Sequence, residues 1–500
     1  MSARKEKILR LHPRDNIGIA LADLRLGDEL ATQPVPRGHK IALEHIKQGE
    51  VVLKYGQIIG SATADIPVGS HVHTHNLGMA QDRNQAGQPP SPPAIAHAGT
   101  DIFNGYVRPD GRVGTRNYVG VMTTVNCSGS VAQFIAEDAR RCGLLDEFAH
   151  IDGIVPITHN TGCGMAGRGE GYDMLLRTLA GYLRHPNFGA ILLVGLGCEV
   201  MQLSALTDMP NLRDPASFRF LTIQQSGGTR ATIEAARPIL RELAGLANAA
   251  TRQPVSAAHL TIGLQCGGSD GLSGITANPA LGIASDLLVA QGGTSILSET
   301  PEIYGAEHLL LNRATSPEIA EALKSRLAWW SDYCARNGGE MDNNPSPGNK
   351  RGGLTTILEK SLGAVAKAGS APLSGVYRYA EPITTKGFVF MDSPGYDPCS
   401  VTGQVASGAN LILFTTGRGS VSGYKPVPGI KISTNNDLWA RMSEDIDINC
   451  GDIIDGVPLE QKGAEIYQML LSIASGQKTK SETLGFGLVE FVPWQIGATM

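Results

Sequence analysis

A run of apolar residues that breaks abruptly into a glycine-dense polar loop, and then into a helical pattern, constrains this chain more than any other feature. The clearest instance is residues 260–282, LTIGLQCGGSDGLSGITANPALG. Leu260, Ile262 and Leu264 alternate as on a strand, and the loop that follows is Cys266-Gly267-Gly268-Ser269-Asp270-Gly271. Glycines at this density let backbone N–H groups approach a ligand closely. Thr276 and Asn278 then lead into a helical spacing of Leu281, Ile283, Ala284, Leu287 and Leu288. A thiol and a carboxylate therefore sit at the carboxyl end of a strand, where open α/β sheets bind ligands.

The same pattern recurs along the chain. Residues 118–125 read as a strand ending in Asn126-Cys127-Ser128-Gly129, and 153–157 as one ending in Thr158-His159-Asn160-Thr161-Gly162-Cys163-Gly164. Residues 190–194 end in Gly195-Leu196-Gly197-Cys198-Glu199, and 218–223 form a further strand. Downstream strands at 294–297, 387–391 and 411–414 end at Ser298-Glu299, Asp392-Ser393 and Thr415-Thr416-Gly417-Arg418. Helical patterns such as 172–183 and 229–246 fall between them, and strands alternating with helices imply parallel sheets. Ahead of all this, short apolar segments (17–21, 39–43, 51–55, 58–62, 71–75) separated by turn signals form an all-β unit. Residues 76–99 are polar, proline-rich and aperiodic, which is linker composition. The polar stretch 249–256 is the next boundary. With 500 residues, too many for one core, the expected organisation is multi-domain. It comprises a small all-β domain (1–75), a linker (76–99) and two Rossmann-like α/β domains with parallel sheets (100–250 and 257–500).

The net charge of −5, a pI near 6.2 and the lack of a long basic run disfavour nucleic acid as the principal partner. No apolar run approaches membrane-spanning length, and the first residues, MSARKEKILRLHPRDN, have no signal-peptide core. The eight cysteines include no CxxC, so a zinc ribbon is not expected. Reduced thiols in the cytoplasm are the expectation.

Four of those cysteines, 127, 163, 198 and 266, fall just past the ends of four separate strands. Thiolates there suit soft metals or an iron–sulfur cluster; the competing reading is a small buried hydrophobe at a tight turn. His71, His73 and His75 alternate, which on a strand puts three imidazoles on one face, ready for a metal or simply polar. His159 lies near Cys163 as a proton-transfer residue would, or as a loop cap. Glu199, Asp270, Glu299 and Glu302 stand at strand ends, where a carboxylate holds a cation, moves a proton or caps a helix. Lys350 and Arg418 in glycine loops suit a carboxylate substrate. No dinucleotide or Walker fingerprint occurs.

Taken together, RGHKIAL (37–43), KYGQIIG (54–60), HNTGCG (159–164), GLGCE (195–199), QCGGSDGLSGITANPALG (265–282), NPSPGNKRGG (344–353), EKSLG (359–363) and TTGRG (415–419) resemble the altronate/galactarate dehydratase family over nearly the whole chain. The resemblance implies a SAF-type (β-clip) N-terminal domain. It also implies iron-stimulated removal of water from a sugar acid to give a 2-keto-3-deoxy product, with Fe2+, Mn2+ or another divalent metal as cofactor. His71-Val72-His73 is similar to the altronate branch, whereas HNTGCG and QVASG (404–408) look more like galactarate enzymes. A sulfolactate sulfo-lyase is the alternative elimination, and a binding protein without catalysis the non-enzymatic one.

The loops bearing most of these polar residues match family motifs, and the chemistry of a β-elimination then assigns the roles: the expected catalytic residues are His39, His159 and Lys350, with His159 or Lys350 as base and His39 or His71 as acid. Lys40, Asp270, Asn278, Asn349 and Arg418 are the expected substrate ligands. His71, His73, Cys127, Cys163, Cys198, Glu199 and Cys266 are the expected metal ligands. The expected partner is a small sugar acid, and the expected assembly a homodimer. A C2 proton is barely acidic until the enediolate is stabilised, which is the work of a Lewis-acid metal, a base and an acid.

Overall fold

Along the strand Leu411–Thr416, Leu411 and Leu413 face one core while Ile412 and Phe414 face another. The period of two in side-chain direction, with apolar residues on both faces, makes this a strand covered on two sides. Six others join it in a parallel seven-stranded sheet: Leu373–Tyr377, Gly387–Met391, Thr294–Leu297, Thr261–Cys266, then Leu411–Thr416, Gly429–Ser433 and Ile448–Asn449 in spatial order. The computed structural model describes residues 7–80, 99–209, 212 and 214–500. Most of the expected linker therefore lies outside the described residues.

A second parallel sheet holds four strands in the order Gly153–Ile157, Tyr118–Thr123, Phe188–Gly195, Phe218–Thr222. Val119 and Val121 face its outer core, and Tyr118 and Met122 face the core shared with the seven-stranded sheet. In both sheets the first strand in sequence is flanked by the second on one side and a later one on the other. That reversal opens a crevice at the strands' carboxyl ends. The stretch 249–256, read as a boundary, contains the strand Arg252–Ser256, which pairs antiparallel with Ile102–Val107. Its polar composition is that of an edge strand.

The N-terminal unit is all-β, with two small sheets: Ile8–Leu9, Ile17–Ala20, Lys40–Ala42 and His71–Val72 in one, and Val51–Lys54, Gln57–Ala62 and Leu77–Gly78 in the other. Its last strand runs past residue 75. Ile17, Val52, Ile59 and Val72 share a core with Leu272, Ile275 and Leu362 of the C-terminal domain, so the two bury one continuous apolar surface. Among the described residues no helix is long and apolar enough to cross a membrane.

Candidate active site

The crevice of the seven-stranded sheet lies between Thr261–Cys266 and Leu411–Thr416, the strands where the order reverses. A cleft of about 600 Å³ opens there, lined by Cys266, Glu302, Asn349, Arg351, Lys360, Asp397 and Arg418 among others. Two glycines shape its floor. Gly268 has a φ of +63°, in the left-handed region, and a Cβ on Gly267 would run into the Asp397 carboxylate.

A buried charge cluster joins that lining to Glu299 and Lys367. Lys367 Nζ is 2.8 Å from Cys266 Sγ, and Lys360 Nζ is 2.5 Å from Glu302 Oε1. Asn344 also donates to Glu302, at 2.8 Å. Burial alone would raise the Glu302 carboxyl, but Lys360 and Lys367 hold it below its ordinary value; Lys360 in turn is kept protonated by Glu302. Burial pushes the Cys266 thiol up to about 11, against the pull of Lys367. Glu299 is fully buried, neither of its oxygens has a hydrogen-bond partner, and its φ is 70°. Burial and the charge of Glu302 keep its carboxyl protonated well above the usual range. Asp397, at the start of the helix Asp397–Ala406, is raised by burial and by Glu302 to about 7.

The N-terminal domain contributes a second cluster. Ile41 pairs with His71 across the antiparallel ladder, which brings His39 beside the His71 and His73 rings. Ring centroids are 5.0 Å (His39–His73), 5.1 Å (His39–His71) and 5.3 Å (His71–His73) apart. His39 Nδ1 is 3.0 Å from His71 Nε2, and His73 Nδ1 is buried without a partner. Burial, then the surrounding imidazoles and Lys40, lower His71 to about 3 and His73 to about 4, so both are neutral imidazoles at neutral pH, and burial lowers His39 as well. His39 Nε2 also lies 3.3 Å from the Arg351 carbonyl, and Arg351 lines the cleft. Among the described residues, His39–His71–His73 and Cys266–Glu299–Glu302 are groups whose donor atoms all lie within 4.8 Å of one another.

Several sequence expectations land elsewhere. His159 is buried with Nε2 on the Thr123 carbonyl at 3.2 Å and Nδ1 accepting from Thr161 N–H at 3.3 Å, which leaves no nitrogen for a substrate proton. Lys350 acts electrostatically on Asp342 and is not part of the cleft lining; Lys360, which lies in the EKSLG motif but has no role assigned from the sequence, is the lysine there among the described residues. Burial lowers both His39 and His71 below the ordinary imidazole value, His71 to about 3. Lys40 is spent on Glu359 (2.8 Å) and the Gly353 carbonyl (2.6 Å). Asp270 accepts from Ser273, Thr434 and Asn435, and Asn278 donates to the Gly363 carbonyl and accepts from Thr415, so both brace loops. Asn349 lines the cleft while its amide caps a short helix and reaches Ser269. Arg418 lines the cleft and makes no ion pair among the described residues. Glu199 folds back onto its own loop, accepting from Thr124, Leu196 and Gly197, and is therefore not free to bind a metal. Cys127, Cys163 and Cys198 are exposed thiols of the middle domain, away from Cys266.

The family models match in chain order. The altronate/galactarate dehydratase SAF domain covers residues 6–80, the D-galactarate dehydratase/altronate hydrolase second domain 105–248, and the D-galactarate/altronate dehydratase C-terminal model 257–499. The altronate dehydratase of Escherichia coli (strain K12) is 37% identical, over 96% of this chain and 97% of the relative. That of Bacillus subtilis (strain 168) is 34% identical over 96% and 97%. The galactarate dehydratase (L-threo-forming) of Escherichia coli (strain K12) is 34% identical over 94% and 93%.

Proposed function

The chain belongs to the altronate/galactarate dehydratase family, and on that premise we propose that it is a hydro-lyase removing water from a sugar acid, altronate first, to give a 2-keto-3-deoxy acid. The observation that carries this reading is Asp397, a carboxyl poised near neutrality and open to a cleft that also presents Lys360, Arg351 and Arg418.

The two donor groups differ in their fit to a divalent metal. Around Cys266, Glu299 and Glu302 the lysines at 360 and 367 already supply positive charge, and a further cation would be repelled. His39, His71 and His73 offer neutral nitrogens, one of them buried and unpartnered, and imidazole suits iron and its neighbours. A divalent iron or manganese held there supplies Lewis acidity toward the substrate's oxygen atoms.

The chain's own groups do the rest. Arg418 and Arg351, both exposed residues that line the cleft, clamp the substrate carboxylate. Asp397, when ionised, takes the C2 proton. Lys360, held as an ammonium by Glu302, donates to the departing C3 hydroxyl. The resulting enol then ketonises to the product. Incubation with altronate and galactarate, followed by detection of the keto product, tests the reading. Turnover of a sugar acid that is lost in Asp397→Asn supports it, and no turnover of any aldonic or aldaric acid by the metal-supplied protein overturns it.

A further inference from the structure

Three exposed thiols lie outside this chemistry. Cys127, Cys163 and Cys198 sit on loops leaving three neighbouring strands, Tyr118–Thr123 in the centre with Gly153–Ile157 and Phe188–Gly195 on either side. Thr123 pairs with Val194, so Cys127 and Cys198 each follow four residues beyond a paired position on adjacent strands. Every pair of loops is also hydrogen-bonded. Asn126 N–H donates to the Thr161 carbonyl at 2.9 Å, and Met201 N–H to the Gly162 carbonyl at 3.0 Å. The Thr124 hydroxyl donates to Glu199 at 2.7 Å. This is the crevice where the order of the four-stranded sheet reverses, the place such sheets bind ligands.

The donors in that crevice are soft. Glu199 is turned into its own loop and both His159 nitrogens are engaged, so neither competes with sulfur. The Gln224 amide donates to Cys198 Sγ at 3.4 Å, the kind of contact that stabilises a ligating thiolate. Cys142, a further exposed thiol, caps the far end of the helix Gly129–Arg141, about 20 Å along the axis at 1.5 Å per residue. Cys266 is buried in the other domain.

We propose that Cys127, Cys163 and Cys198 hold an iron–sulfur cluster of the [4Fe–4S] class through three thiolates, leaving one iron without a cysteine ligand. Each cysteine gives up its proton on ligation. The site is independent of the cleft reading and stands or falls by its own measurement.

The full chain, reconstituted anaerobically with ferric iron, sulfide and dithiothreitol, is expected to carry about four irons and four acid-labile sulfides. It should show a broad visible absorption band and an EPR signal on reduction. Cys163→Ser and Cys198→Ser are expected to lose most of the sulfide, and Cys142→Ser to keep it. Because a serine variant could misfold, alkylation mapping on the wild-type chain is the second measurement: the three thiols should be labelled before reconstitution and protected after it. Iron bound without sulfide, a single zinc ion in place of iron, or equal labelling before and after overturns the proposal.

Discussion

Lys40 and Glu359 meet at 2.8 Å with both side chains closed to solvent, and Lys54 approaches the other Glu359 oxygen at 2.9 Å. Two cations of the N-terminal β domain thus share one carboxylate on the helix Ile357–Val365 of the C-terminal domain. Burial lowers Lys40 to about 8, while the two lysines, with Thr355, hold Glu359 far below the ordinary carboxylate range despite burial. Glu359→Gln strands two buried ammonium groups, and the expected loss is about 3–5 kcal/mol. Chemical denaturation measures it; a loss near zero would mean that the shared apolar core alone holds the two domains.

Asp397 ties activity to instability. Its carboxyl keeps a proton to about pH 7, whereas in the unfolded chain it ionises near 3.8. The folded state therefore binds the extra proton between those values, and its stability contribution fades as pH rises through that window. Asp397→Asn should become progressively more stable than the wild type from pH 4 to 7, read by thermal melts. The same variant should lose roughly 100- to 10,000-fold in dehydration rate, and the wild-type rate should rise as pH passes about 7.

Arg418 has no ion pair to lose among the described residues, so removing it should leave the fold alone. Arg418→Ala is expected to weaken substrate binding by about 1.5–3 kcal/mol, the value of a hydrogen bond to a charged group. The readout is a raised KM with an unchanged melt, and Arg418→Lys should recover only part of it.

The histidines separate by position rather than by sequence. His73→Ala should reduce bound divalent metal, measured by elemental analysis of the purified protein, because His73 belongs to the converging group. His75→Ala should not, since His75 is exposed and outside that group.

His159 is braced by backbone on both nitrogens. His159→Ala should cost about 1–3 kcal/mol of stability from the unpaired backbone groups. At temperatures where the variant stays folded, kcat should change little; a collapse of kcat with normal stability would restore His159 to the chemistry.

Much of the architecture was readable in the chain. The strands Gly153–Ile157, Thr294–Leu297 and Gly387–Met391 fall where apolar runs meet glycine or polar loops, because a doubly covered strand has no choice but to be apolar throughout. Cys266 and Arg418 stand out in glycine loops of the sequence, and Asn349 in a motif of the family resemblance; all three line the cleft. His71, His73 and His75 stand out in the sequence as three alternating imidazoles, of which the first two belong to the converging group. His39 joins them only through a ladder between segments thirty residues apart, a partnership that spacing does not encode.

What the sequence determined by itself is the grammar of strand, glycine loop and helix, the all-β unit ahead of it, and the family. Those are local properties of apolar periodicity and turn chemistry. Tertiary structure decided which polar groups are deprived of water and which charges they face. Lys360 rather than Lys350 enters the cleft, Asp397 is lifted to neutrality by burial beside Glu302, and Lys40 is spent on Glu359. Proton affinity follows from desolvation and Coulomb fields, and both are set by residues far away along the chain.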